Sequence, residues 1–165
     1  MKTRSKRGLK AIEVARYFIY LANLEKAQIS NKKLQKLVYY SQAWSLVLRN
    51  KKLFSDPIEA WVHGPAVRVL YGQYKSFGFN PIKEDVSSEN ISNITGKIKI
   101  FLDQVWKLYG KLDARYLEAL THSELPWQEA RNGIQGHESS KNEISLKIMK
   151  SYYTKKLEEA KKRHK

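Results

Sequence analysis

"SNKKLQKLVYYSQAWSLVLR", residues 30–49, decides the fold. Its apolar residues recur at helical spacing. Leu34, Leu37, Val38, Ser41, Trp44 and Leu48 fall on one stripe, and Tyr40 and Val47 widen it. Ser30 is the expected N-cap, because its hydroxyl can accept from a first-turn amide. The helix is expected to continue to about Arg49. On this reading Lys32, Lys33, Lys36 and Arg49 face solvent.

The same periodicity extends in both directions. Upstream, Val14, Phe18, Leu21 and Ala22 share a face of a helix from Ala11 to Glu25. Downstream, "KKLFSDPIEAWVHGP" breaks the helical period, since Pro57 excludes a helix interior and "SDP" signals a turn. Ile58, Ala60 and Val62 alternate with Glu59, Trp61 and His63, which is compatible with a short ribbon pairing with Leu53 and Phe54. Pro65 suits the first turn of a third helix, running to about Ser76 with Val69, Tyr71 and Tyr74 among its contacts. "FGFNP" ends it, and residues 80–94 read as a polar surface loop.

A fourth helix is expected from Thr95 to Tyr109, with Ile98, Leu102, Val105 and Trp106 inward and Gly110 at its C-cap. Asp113 caps a fifth, to about Thr121, with Tyr116, Leu117 and Leu120 apolar. A short helix carries Trp127 to Arg131. The last runs from about Asn142 into a basic tail, docking through Ile144, Ile148, Tyr152 and Leu157. The expected fold is therefore mainly α: a single-domain bundle of about six helices with room for a β-ribbon near residues 53–62. Residues 1–10 form a basic arm, 11–153 the domain, and 154–165 a basic helical tail.

Composition bounds the function. A chain of 165 residues with 42% hydrophobic content can bury one core. It has no cysteine, which excludes thiolate metal sites, disulfides and cysteine nucleophiles and fits a reducing cytoplasm. Glu13 and Arg16 interrupt the first apolar stretch, so it is read as an amphipathic helix and not as a signal peptide. The formal net charge of +15 favours an acidic partner or a polyanion. Much of the excess lies at the ends, at Lys2, Arg4, Lys6, Arg7, Lys10 and in "KKLEEAKKRHK", where charge is often only solubilising.

Two polar stretches invite a chemical reading. "LTHSELPWQEAR", residues 120–131, contains His-x-Glu, half of a zinc-deaminase signature. The cysteine pair that completes it is missing, and no His-Glu-x-x-His is present. Thr121, His122 and Ser123 can equally satisfy a helix end, with Pro126 opening the next helix and Trp127 filling the core. "AWVHGPAVRVLYGQYK", residues 60–75, places His63 beside a helix N-terminus that could receive an anion; a tight turn into that helix is the plainer alternative. There is no Gly-x-Ser-x-Gly elbow, and "TGKIK" lacks the rest of a phosphate loop. No metal, cofactor or catalytic set is expected. Nor do zinc-finger, ribonucleoprotein or basic-zipper motifs occur.

These motifs together resemble the Panacea domain of SocA-like antitoxins, also labelled phage-associated GepA proteins. The resemblance rests on "LQKL-YY" on a helix, "A-W-x-x-G-P" after it, and "L-T-H-x-E-x-P-W-x-x-A-R" further on, and covers Ile12 to about Tyr153. Leu34, Lys36, Leu37, Tyr39, Trp61, Gly64, Pro65, Tyr71, Thr121, His122, Pro126 and Trp127 match the pattern. His63 stands where an aromatic is commoner and Ala66 where Val is expected. The resemblance implies a helical, cytoplasmic, non-enzymatic antitoxin that binds a toxin encoded nearby. Some members are adaptors that hand the toxin to a cytosolic protease, and others carry a DNA-binding domain that this chain lacks. Nucleic-acid binding through the basic ends is the alternative. The expected partner surface comprises Lys36, His63, Gly64, Pro65, Arg68, Tyr71, His122, Glu124 and Trp127.

Overall fold

The computed structural model describes residues 7–164. Lys2, Arg4 and Lys6 of the basic arm lie outside the described residues; Arg7 pairs with Glu13 at 3.1 Å. Seven α-helices and one two-stranded ribbon follow: α1 (Ala11–Glu25), α2 (Asn31–Leu48), β1 (Glu59–Trp61), β2 (Gly64–Ala66), α3 (Arg68–Tyr74), α4 (Gly96–Tyr109), α5 (Ala114–His122), α6 (Leu125–Ala130) and α7 (Leu146–Arg163). The fold is mainly helical, as expected from the periodicity.

Ser30 caps α2 by accepting from the Lys33 amide at 3.2 Å. The expected solvent face of α2 is the main correction. This helix touches α1, α3, α4, α5, α7 and β2, so it is enclosed on nearly every side. Lys33 and Lys36 are buried, while Leu48, expected inside, is exposed beyond the last turn of packing. The Lys33 ammonium donates to the Gly110 carbonyl and lies 5.9 Å from the Trp106 ring centroid. Gly110 is required here for space and not for a left-handed backbone: a Cβ would lie 2.5 Å from the Trp106 carbonyl oxygen.

Two glutamines on α2, two turns apart, act as surrogate strand partners. Gln42 donates to the Phe54 carbonyl at 2.8 Å and accepts from the Leu53 amide at 2.7 Å. Gln35 accepts from the Val67 amide at 2.8 Å and donates to the Val67 carbonyl at 3.3 Å. Because Gln42 satisfies Leu53 and Phe54, those residues do not join the ribbon. Its second strand is Gly64–Ala66, paired antiparallel with Glu59–Trp61.

Pro65 accordingly pairs with Ala60 and does not open a helix. The chain reverses over Val62 and His63, and Gly64 takes φ +106, a conformation that side-chain-bearing residues rarely adopt. This returns Pro65 to β1, and α3 starts only at Arg68. The anion site at a Pro65 helix start therefore has no helix to supply it.

Smaller differences share one cause, tertiary packing that local patterns do not encode. Ile82 and Ile94 are buried at the edges of the expected surface loop, with the Ile82 amide bonded to the Ile29 carbonyl at 2.8 Å. Tyr116 is exposed, while Leu117 carries the buried face of α5. In α7 the docking face is one residue on from the expected one: Met149 and Tyr153 are buried, Ile148 and Tyr152 half-buried.

A polar cluster ties the helices together at the core. The Glu124 carboxylate, 4% exposed, accepts from the Tyr40 hydroxyl at 2.6 Å and from the Tyr153 hydroxyl at 2.9 Å. Tyr39 shares a hydrogen bond with Tyr153 at 3.1 Å. The Tyr109 ring stacks on Tyr40 at 4.3 Å, and its hydroxyl accepts from the Trp44 indole at 2.8 Å. Burial raises the Glu124 pKa above the usual carboxylate value and raises those of the tyrosines, so the hydroxyls remain donors. Glu124→Ala leaves two buried hydroxyls without their acceptor. It is expected to cost roughly 2–5 kcal/mol, measured by urea denaturation, with Tyr40→Phe costing less because Glu124 keeps its Tyr153 donor.

Candidate functional site

The ribbon, the first turns of α2, α3 and the loop before α7 enclose a groove of about 870 Å³. The Trp61–Gly64 hairpin carries His63 to its tip, where the side chain is 71% exposed. Arg68 and Tyr71 lie on the exposed side of α3, and Phe79 stands in the turn beyond it, 91% exposed. The opposite wall comes from residues 139–141, carried in because the Ala60 amide donates to the Asn142 carbonyl at 2.8 Å.

Lys36 lines this groove although it is only 2% exposed. Among the described residues its ammonium finds one partner, the Pro65 carbonyl at 3.4 Å. Gly64 makes room for it: a Cβ there would lie 2.5 Å from Lys36 Cε and 2.9 Å from Thr121 Oγ1. Burial lowers the Lys36 pKa to about 7; nearby Glu118 partly offsets this and Lys32 adds to it. Glu118 itself is engaged by Lys32 and by His63 Nδ1 at 2.8 Å. Burial pushes the Glu118 carboxyl up, yet those two hydrogen bonds outweigh it and hold it below the usual range.

The residues that line the groove include Lys32, Lys36, His63, Arg68, Lys75 and Lys141, and none of its described lining residues is acidic. Arg68 reaches out to Glu59 at 2.6 Å and lies 5.2 Å from the Trp61 ring centroid. Glu59 is held below its usual pKa chiefly by the Arg68 hydrogen bonds. Trp61 meets Tyr71 edge-on at 5.1 Å. The groove thus joins aromatic surface to cationic groups.

Of the expected partner residues, the structure brings Lys36, His63, Gly64, Arg68 and Tyr71 together along this groove. Pro65 is buried in the ribbon, where its carbonyl accepts from Lys36. His122 and Trp127 stack on one another at 4.0 Å on the far side of the ribbon, where the Trp127 indole donates to the Trp61 carbonyl at 2.8 Å. Burial lowers the His122 pKa, which favours the neutral ring. Glu124 is a core residue, committed to Tyr40 and Tyr153, and is removed from the surface set. Asn31, Gln35, Trp61, Phe79 and Lys141 line the groove but were not in that set. "FGFNP" did contain a signal, an apolar residue in a turn. Lys141 had none, because its position depends on pairing across more than eighty residues of chain.

Among the described residues no cluster of three or more His, Asp or Glu could hold a metal ion, and no helix is long and apolar enough to cross a membrane. A family model described as "Antitoxin SocA-like, Panacea domain" matches residues 34–128. No curated protein and no solved structure matches the chain significantly.

The buried lysine has a consequence for stability. Below about pH 7 it is charged in both states and the folded protein bears the desolvation cost. Between about 7 and its ordinary value of 10.5 only the unfolded chain keeps the proton, so this contribution improves as pH rises. Lys36→Met is expected to stabilise the free protein by about 1–4 kcal/mol at pH 7 and below. The gain should shrink as pH approaches 10.5, as followed by denaturant melts across that range.

Proposed function

The chain belongs to the SocA-like antitoxin family through its Panacea domain, and from that membership we propose that it neutralises a toxin by direct protein–protein binding. The observation that carries the reading is the span of the family match. Residues 34–128 contain most of α2, the ribbon, α3 and the Trp127 support behind it. Those elements build the groove except for its rim at Asn31 and Lys32 and its wall at residues 139–141.

In this reading the domain acts in the cytoplasm, by binding and not by catalysis. Its partner is the toxin encoded nearby. Tyr71, Arg68 and His63 supply the exposed contacts; aromatic and arginine side chains of this kind dominate binding energy where a partner desolvates them. Lys36 and Gly64 form the floor. Trp127 and His122 hold the ribbon from behind, and Pro65 is part of the ribbon itself. The net charge of +15 accelerates encounter with an acidic partner surface.

The deciding experiment is co-expression with the adjacent toxin, scored for growth and co-purification. Rescue accompanied by a stable complex is expected. Rescue without a complex would favour delivery to a cytosolic protease, or repression through nucleic acid, whose affinity would fall steeply with salt. Within the complex, Arg68→Ala and Tyr71→Ala should each weaken toxin binding by about 1–2 kcal/mol. Calorimetric titration with unchanged melting temperatures checks this; unaltered affinity in both variants would remove the groove from the interface.

A further inference from the structure

The groove holds two polar groups that the protein leaves underused. The first is the Lys36 ammonium, enclosed yet bonded, among the described residues, to one carbonyl at 3.4 Å. The second is Asn31 Oδ1, a buried acceptor with no hydrogen-bond partner, whose amide nitrogen is held by the Tyr71 carbonyl at 3.3 Å. Both residues line the same groove. An enclosed cation calls for an anion, and an orphaned acceptor calls for an N–H.

One class of ligand supplies both: a peptide segment with an acidic side chain and its backbone amides. We propose that the groove receives an extended acidic segment of the partner protein, seating a carboxylate on Lys36 and a backbone N–H on Asn31. This rests on the antitoxin reading for the identity of the partner, and on the groove alone for its chemistry.

The surrounding residues fit that occupant. Lys75 and Lys141 flank the opening and favour further carboxylates. Phe79 and the Trp61–Tyr71 pair offer apolar surface to a neighbouring side chain. Glu118 acts on the Lys36 charge from nearby but makes no hydrogen bond to it, because Lys32 and His63 engage its carboxylate. A nucleic-acid backbone fits less well. It presents regularly spaced phosphates to rows of exposed cations, whereas the distinctive cation here is single and recessed.

The test uses fluorescence anisotropy with the labelled peptide acetyl-Glu-Asp-Phe-Asp-Glu-Leu-amide. Its counterpart with Gln and Asn in place of the acids, and unlabelled oligothymidylate as competitor, complete the set. Binding of the acidic peptide is expected, weaker by about tenfold or more for the amide counterpart. Lys36→Met should lose about tenfold or more while keeping its cooperative melt. Lys75→Glu, an exposed change that leaves the core untouched, should also weaken binding. Lys162→Gln, on the distant tail of α7, should not. Equal affinity of wild type and Lys36→Met overturns the proposal, as does an equal loss in Lys162→Gln. Oligothymidylate that binds more tightly than the peptide and depends on Lys36 also overturns it. Growth rescue separates this from the antitoxin reading. If Lys36→Met and Lys75→Glu both rescue as well as wild type, the acidic-segment proposal fails and the antitoxin reading survives. If wild type does not rescue but peptide binding needs Lys36, the antitoxin reading fails and the groove chemistry survives.

Discussion

A helix enclosed on nearly every side must satisfy its polar side chains from within the protein. That constraint falls on α2, and most of the architecture answers it. Lys33 is met by the carbonyl that ends α4, Gln42 by the backbone at Leu53 and Phe54, Gln35 by Val67, and Tyr40 by Glu124. Each of these bonds also fixes where another element sits. The hydrogen-bonding requirements of one helix therefore set the register of its neighbours, which hydrophobic burial alone, being non-directional, does not do.

What was legible in the chain divides along the same line. The limits of α1 and α2 and the Ser30 and Asp113 caps follow from backbone chemistry within a few residues, and the structure has them; Gly110 also ends α4, but because of the room it leaves beside Trp106. The burial of Lys33 and Lys36 is not legible in the chain, because a lysine on a polar stripe is ordinarily solvated. Nothing local reveals that the stripe faces Gly110 and the ribbon. The place of Pro65 is hidden for a related reason. Proline suits a helix start and a ribbon edge equally, and the choice was made by Gly64 in the positive-φ hairpin one residue earlier. His63, Arg68 and Tyr71 were recognisable as exposed polar and aromatic residues near one turn, whereas the wall at residues 139–141 arrives only through long-range pairing.

The two motifs that first suggested chemistry turn out to be two faces of one packed unit. Thr121 stands against Gly64, His122 lies on Trp127, Trp127 donates to Trp61, and Arg131 donates to the Ala60 carbonyl at 3.0 Å. Arg131 also bonds the Gln135 and Glu138 carbonyls, and so closes the loop that leads toward the groove wall. The His-x-Glu spacing is explained without a metal. One side chain stacks beneath the ribbon, and the next but one turns into the core as the acceptor for two tyrosines.

A two-stranded ribbon of three-residue strands is marginal by itself. Here Gln35, Trp127 and Arg131 anchor it or the residue that follows it, all through backbone groups. Anchoring of that kind holds the groove in shape before any partner arrives, which lowers the ordering cost of association. It also leaves the outward side chains at 61, 63, 68 and 71 free of any structural duty to the backbone. A surface built this way can change its exposed residues, and hence its partner, while the support behind it stays the same. Lys36 is the exception, since it belongs to both layers: its alkyl chain fills the space that Gly64 vacates, and its charge is left for the groove to use. The cost of burying that charge is borne by the free protein and relieved by a ligand that neutralises it, so stability and binding are coupled at this one residue.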